Sequence, residues 1–263
     1  MKRSILFSLL FLNSGLLHSQ SYELIIKVPV EEGFFTTDRF GNFYTIRKME
    51  VKKFNDQGVF YRSYNFNDLG YLNYMDATNP LKLMLFKADF NTIRIIDNRM
   101  NVQGELQLIN NPDLGLPKLA CVTDDGNYWI YDQQNQRLVK INQLVETLIV
   151  GNSFNQFIET PLNPKLLIAA ENWLVMRNPD STFFIFDRYG NYYRNMIITG
   201  IKNLQVRGHL IQYFKQGKLF ILDLDTMKET TIETALMQDA TEVRMELHRL
   251  YIRKNNQIEV YSF

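Results

Sequence analysis

Side chains able to perform acid–base, nucleophilic or metal chemistry are few in this sequence, and their spacing joins none of them. Past the first twenty residues there are two histidines, His209 and His248, and one cysteine, Cys121. Neither histidine has a second His or Cys at the spacing that a four-ligand zinc site needs. No Gly-x-Ser-x-Gly elbow presents a nucleophile for a His-assisted triad. His209 follows Arg207-Gly208 and His248 opens the run His248 to Ile252, so both read as turn or surface residues. Cys121 lies in the apolar run Leu119-Ala-Cys-Val122, where a small buried thiol is expected. Carboxylates are the more serious chemical candidates, since two can divide acid and base roles or hold a calcium ion. Glu31, Glu32, Asp68, Glu159 and Asp239 fall on connections between predicted strand groups, but nothing in the sequence makes any two of them a pair. Asp124-Asp125-Gly126-Asn127 is too short for a calcium loop and reads as a hairpin turn. No metal, cofactor or catalytic residue is expected.

Recognition is better supplied. Lining up the predicted second strand of each repeat places Arg47, Lys87, Asp132, Arg177, Lys215 and Arg253 at one position, five cations in six. The position after each third strand is Asn, Asp, Asn, Asp, Asp and Ser, with no cation. Adjacent antiparallel strands end at opposite faces, so the pattern describes a disc with one basic rim, and the charge arrangement would steer an acidic partner. Lys87 has Asp89 nearby as a candidate ion-pair partner. Apolar groups on the loops 66–71 and 151–157 (Phe66, Tyr71, Phe154 and Phe157) are further candidates for partner contact, if they cluster in water.

Composition narrows the partner. Residues 1–19 have the form of a secretory signal: Lys2 and Arg3, a mostly apolar stretch over 5–17, and the small Ser19 near the end. Thirteen residues interrupted by Asn13, Ser14 and Gly15 are too few to span a bilayer about 30 Å thick, so no membrane span remains after cleavage. The segment holds two of the 29 Lys and Arg residues and none of the 28 Asp and Glu residues. The remainder is near-neutral, unlike nucleic-acid binders with their basic excess. One cysteine closes no internal disulfide, so stability must come from apolar burial.

The elements that must position all these residues are short strands. Trp173 to Met176, Phe183 to Phe186 and Tyr192 to Ile198 are apolar or aromatic runs separated by Asn178-Pro-Asp180 and Asp187-Arg-Tyr-Gly190-Asn191. The same unit recurs. Pairs of an apolar and a small polar residue, Phe54-Asn55, Ile96-Asp97, Ile141-Asn142, Phe186-Asp187, Leu222-Asp223 and Tyr261-Ser262, are spaced 36 to 45 residues apart. That is the period of a four-stranded propeller blade. First strands are predicted at 34–37, 72–75, 119–123, 165–169, 204–207 and 241–245. Asn or Asp at the third-strand ends should turn the chain by bonding the backbone two residues on, with Gly58 and Gly190 supplying positive φ. The sixth unit stops after its third strand at Phe263, while 22–28 is strand-like with nothing to pair. The expectation is an all-β, single six-bladed propeller over 20–263, its ring closed by the N-terminal strand in the last blade.

The Asp-x-x-Gly-Asn-x-Tyr stretch from Asp38 to Tyr44, and its shortened form at Asp124 to Tyr128, resemble turns of irregular six-bladed propellers of the NHL and lactonase-like groups. In size, leader and irregular blades the chain also resembles small propeller subunits of bacterial envelope assemblies, such as those of the type 9 protein-export translocon. These resemblances imply an exported, periplasmic or outer-membrane-associated module that binds a protein partner without catalysis. The alternatives are a hydrolase of lactonase or glycosidase type, with carboxylates at the axial mouth, and a carbohydrate-binding propeller.

Overall fold

The computed structural model describes residues 21–66, 72, 74–156, 158 and 162–263. Tyr71, Phe157, Asp68 and Glu159 lie outside the described residues. The strands form six antiparallel sheets of four, arranged as a ring. The strand β1 (Glu23–Pro29) stands before the first complete blade. That blade is β2 (Phe34–Thr37), β3 (Phe43–Arg47), β4 (Glu50–Phe54) and β5 (Phe60–Asn65). The second is β6 (Tyr74–Asp76), β7 (Leu83–Lys87), β8 (Thr92–Ile96) and β9 (Val102–Gln107). The third is β10 (Pro117–Val122), β11 (Tyr128–Asp132), β12 (Arg137–Ile141) and β13 (Thr147–Val150). The fourth is β14 (Leu166–Ala170), β15 (Trp173–Arg177), β16 (Thr182–Asp187) and β17 (Tyr192–Ile197). The fifth is β18 (Asn203–Arg207), β19 (Leu210–Lys215), β20 (Lys218–Asp223) and β21 (Glu229–Ile232). The sixth has β22 (Glu242–Glu246), β23 (Arg249–Lys254) and β24 (Gln257–Ser262), with β1 as its outer strand.

The expected turn chemistry is present. Asn55, Asp97, Asn142 and Asp187 each accept, on one side-chain oxygen, the backbone N–H groups two and four residues on. Asp223 does the same two and three residues on. This local bond supplies the turn with a partner that a strand cannot give it, which is why the third strands end where they do. Gly58 has φ +75°, and a Cβ there would lie 2.2 Å from a methyl of Ile26 on the closing strand. It is both a turn residue and a point of close approach.

Burial follows the ring. The buried apolar residues fall into six clusters, and each joins the facing sheets of two neighbouring blades. Trp129, Tyr131, Phe154 and Phe186 fill the interface of the third and fourth blades. Val28 of β1 joins Phe35, Phe43, Tyr251 and Val260 between the sixth and the first. Each fully buried aromatic contributes roughly 1.5–3 kcal/mol relative to exposure. Cys121 is buried in the third of these sheets, and burial pushes its thiol well up.

Closure by β1 is also polar. Lys27 pairs across the sheet with Glu259, and their side chains meet at 2.8 Å. Lys254 approaches the same carboxylate at 3.1 Å, and Tyr261 donates to it at 2.6 Å. Burial would raise the Glu259 carboxyl, but these donors prevail and hold it at about 2.

Candidate functional site

The innermost strands of the six blades surround an axial channel of about 480 Å³. Their last residues are Thr37, Asp76, Val122, Ala170, Arg207 and Glu246, so one register layer of the ring carries two carboxylates and a cation. Two residues earlier the corresponding layer is Phe35, Tyr74, Ala120, Ile168, Gln205 and Arg244. The strand period of two turns both layers the same way.

Glu246, on the sixth blade, is held from the first and the fifth. The Thr37 hydroxyl donates to its Oε1 at 2.9 Å, and the Gln205 side-chain amide donates to the same oxygen. Burial lifts its carboxyl to about 7, with Thr37, Arg207 and Arg244 opposing. Asp76 accepts the Thr78 backbone N–H at 2.9 Å, the Thr78 hydroxyl at 2.5 Å and the Val122 N–H at 3.2 Å. Burial raises it too, against these bonds. Arg244 lies over the Phe35 ring at 5.7 Å and reaches the Leu204 carbonyl with one Nη at 3.4 Å. Its Nε has no partner. Glu242, two residues away, is engaged by Arg253 at 3.1 Å instead.

Both histidines are in two-residue hairpin turns between first and second strands, Gly208-His209 and Leu247-His248. The fold brings His209 to 3.8 Å from Asp223 and 3.9 Å from Glu171, a grouping that spacing alone does not announce. His209, Asp223 and Asp225 offer ligand atoms within 4.8 Å of one another. Asp223 already accepts two backbone N–H groups, and Asp225 accepts from Trp173 Nε1 at 2.8 Å, which makes this a hydrogen-bonded corner of partly exposed groups.

A second concavity, about 320 Å³, opens between β1 and the first blade. Val28, Val30, Phe54 and Phe60 give it apolar walls, and Arg47 and Arg253 stand beside them. Phe60 is 53% exposed, as is Tyr61 next to it on the outer strand.

No protein-family profile matches the sequence, and no curated protein does. Solved structures match by shape. Virginiamycin B lyase from Staphylococcus aureus is 12% identical with a TM-score of 0.55, over 87% of this chain and 79% of that one. The Pan2 WD40 domain of Neurospora crassa is 11% identical with a TM-score of 0.58, over 89% and 79%. The BBS1 N-terminal domain, solved in complex with ARL6, is 10% identical with a TM-score of 0.54, over 89% and 77%. The chain is a six-bladed β-propeller. At such identities the likeness shows the fold alone, and these propellers include an enzyme as well as a domain solved with a protein partner.

The residues expected from sequence fare unevenly on this propeller. Arg47, Lys87, Asp132, Arg177 and Lys215 each end a second strand and Arg253 lies one residue short of its end, so the six share one face. Three of the five cations are spent within the chain. Arg47 pairs with Glu31, Lys87 is buried and meets Asp89 at 2.7 Å, and Arg253 donates to the Glu31 and Gly33 carbonyls as well as to Glu242. Arg177 is half-buried over the Phe183 ring. The rim is therefore less freely basic than the alignment suggests. Phe66 and Phe154 do not form an exposed apolar patch; both are buried in blade interfaces, Phe66 beside Tyr64 and Phe154 against Tyr131 and Phe186. Glu31, Glu32 and Asp239 are exposed and line no part of the channel, whose carboxylates are Asp76 and Glu246 at innermost-strand ends and Asp124 and Glu171 in the adjoining hairpin turns. Sequence offered one hint of those: Asp76 and Glu246 each lie one residue beyond a predicted first strand, where period-two alternation continues.

Proposed function

We propose that the protein is a non-catalytic interaction module of the bacterial cell envelope, exported through residues 1–19, which docks a protein partner at the groove between β1 and the first blade. One observation carries this reading: the groove gathers apolar walls, a half-exposed Phe60 and the exposed aligned cation Arg47 at one open site, beside the internally bonded Arg253. Aromatic and arginine side chains at a desolvatable concavity are what protein interfaces use as anchors. The BBS1 domain, solved with ARL6, is a precedent for a propeller of similar shape in a protein complex. The test is recovery of partners from envelope extracts in mild detergent with the wild-type protein and with a Phe60→Ala, Arg47→Glu double variant. Loss of the same partner by the folded variant supports the reading, and unchanged recovery overturns it.

A hydrolase in the axial channel is the second reading. Glu246, held at about 7, is in the range of a general acid. Against it, both Asp76 oxygens and Oε1 of Glu246 already accept from donors of the chain. Turnover of lactone or aryl-glycoside substrates that is lost in Glu246→Gln would establish this reading over the first.

A further inference from the structure

The axial channel holds a cation whose bonds are incomplete. Arg244 projects from the sixth blade, lies over an aromatic ring of the first, and touches the backbone of the fifth. A guanidinium has five N–H donors in a rigid fork. Here Nε donates to nothing, and the single bond from Nη is long at 3.4 Å. The nearby carboxylates Glu242 and Glu246 act on it through space but not by contact: Glu242 accepts from Arg253, and Glu246 accepts from Thr37 and Gln205 on one oxygen. An arginine withdrawn from bulk water without an ion-pair partner is costly and is ordinarily compensated by an anion. Around it the channel presents apolar wall from Phe35, Ile168 and Leu204, and polar groups from Gln205 and Glu246. A volume near 480 Å³ is that of a small-molecule site, too narrow for a folded partner.

We propose that the axial channel binds a small organic acid, its carboxylate paired with the Arg244 fork and its hydroxyl-bearing end directed to Glu246 and Gln205. A carboxylate matches the planar fork, accepting on two oxygens at once. The apolar wall from Phe35 and Ile168 covers the body between the two polar ends. Because the innermost strands of at least four blades contribute, the site exists only in the closed ring. It shares Phe34 and Phe35 with the β1 groove but none of the groove's cations, and an acid bound here is read by calorimetry and a partner bound there by recovery from extracts, so the two results are distinguishable.

The experiment is calorimetric titration and thermal shift of the purified protein with lactate, mandelate, glucuronate and galacturonate, each beside its neutral counterpart: lactamide, mandelamide, glucose and galactose. At least one acid is expected to bind and raise the melting temperature while its neutral counterpart does not. Arg244→Gln should weaken that acid at least tenfold, and Arg244→Lys, which keeps charge but loses the fork, should recover only part. A wild-type measurement stands beside these in case the variants do not fold. Phenylglyoxal modification of Arg244, followed by mass spectrometry, should slow when the acid is present. The proposal is overturned if no acid of this set binds better than its neutral counterpart, if a folded Arg244→Gln binds it unchanged, or if the acid leaves Arg244 modification unaffected.

Discussion

Two glutamates of the sixth blade, Glu246 and Glu259, are both buried but answer burial in opposite ways. Glu246 is lifted from 4.5 to about 7 by burial. A carboxyl raised in the folded state binds more protons there than in the unfolded chain, so its contribution is fully present below 4.5 and is lost as pH rises to about 7. At about 1.4 kcal/mol per pH unit this is on the order of 3 kcal/mol. Thr37, Gln205, Arg207 and Arg244 face it, with the charge of Asp38 acting in the same direction as burial. Glu259 is the reverse: three donors outweigh burial and hold it at about 2, so its contribution is present above 4.5 and lost as pH falls toward 2. Together these two groups contribute most near pH 4.5. Chemical unfolding from pH 4.5 to 8 is expected to show wild-type stability falling and Glu246→Gln nearly flat; a parallel decline in the variant would assign the fall to other groups.

At the scale of elements the closing strand carries the most consequence. It supplies Val28 to the cluster between the sixth and first blades, Ile26 against the Gly58 turn, and Lys27 to the buried Glu259. Deleting residues 22–28 would unpair β24, strip that cluster and leave Glu259 with one lysine fewer. A loss of several kcal/mol corresponds to a fall of roughly 10 °C or more in melting temperature for a domain of this size. An unchanged transition by circular dichroism would show that the ring does not depend on this strand. The smaller change Gly58→Val should also destabilise, by about 1–3 kcal/mol, since it forces a branched residue to φ +75° and into Ile26. Wild-type denaturant midpoints in that variant would argue against a tight approach.

For the molecule as a whole, the antiparallel blades sort charge between faces, but the sorting is partly cancelled by local pairing. Arg47 is the cation of the aligned set that keeps an exposed side chain beside the groove, ion-paired among the described residues to exposed Glu31. Such a pair is worth at most about 1 kcal/mol and exchanges readily for a partner's carboxylate. Partner recovery through the groove should therefore weaken as salt rises past physiological strength, where screening acts over about 8 Å. Reversal of Arg47 to Glu should remove that dependence. Recovery insensitive to salt in the wild type would leave the apolar walls as the whole of the contact.

Strand number and blade count were written locally, while closure, a pairing across the whole chain, followed from a sixth unit one strand short and a strand-like run at 22–28 left unpaired. Asn55, Asp97, Asn142, Asp187 and Asp223 bend the chain through bonds to backbone a few residues away, and the apolar strands between them bury whichever blades adjoin. Such signals survive in sequence because their partners are neighbours. The channel was not legible, since Glu246, Thr37 and Gln205 are far apart in the chain and meet only when the ring closes. Burial of Phe66 and Phe154 was likewise hidden, because a loop aromatic looks the same in sequence whether it faces water or a blade edge. Short-range hydrogen bonds are fixed by the order of residues; desolvation, which decides the charge of Glu246 and the unmet bonds of Arg244, depends on what long-range packing places around them.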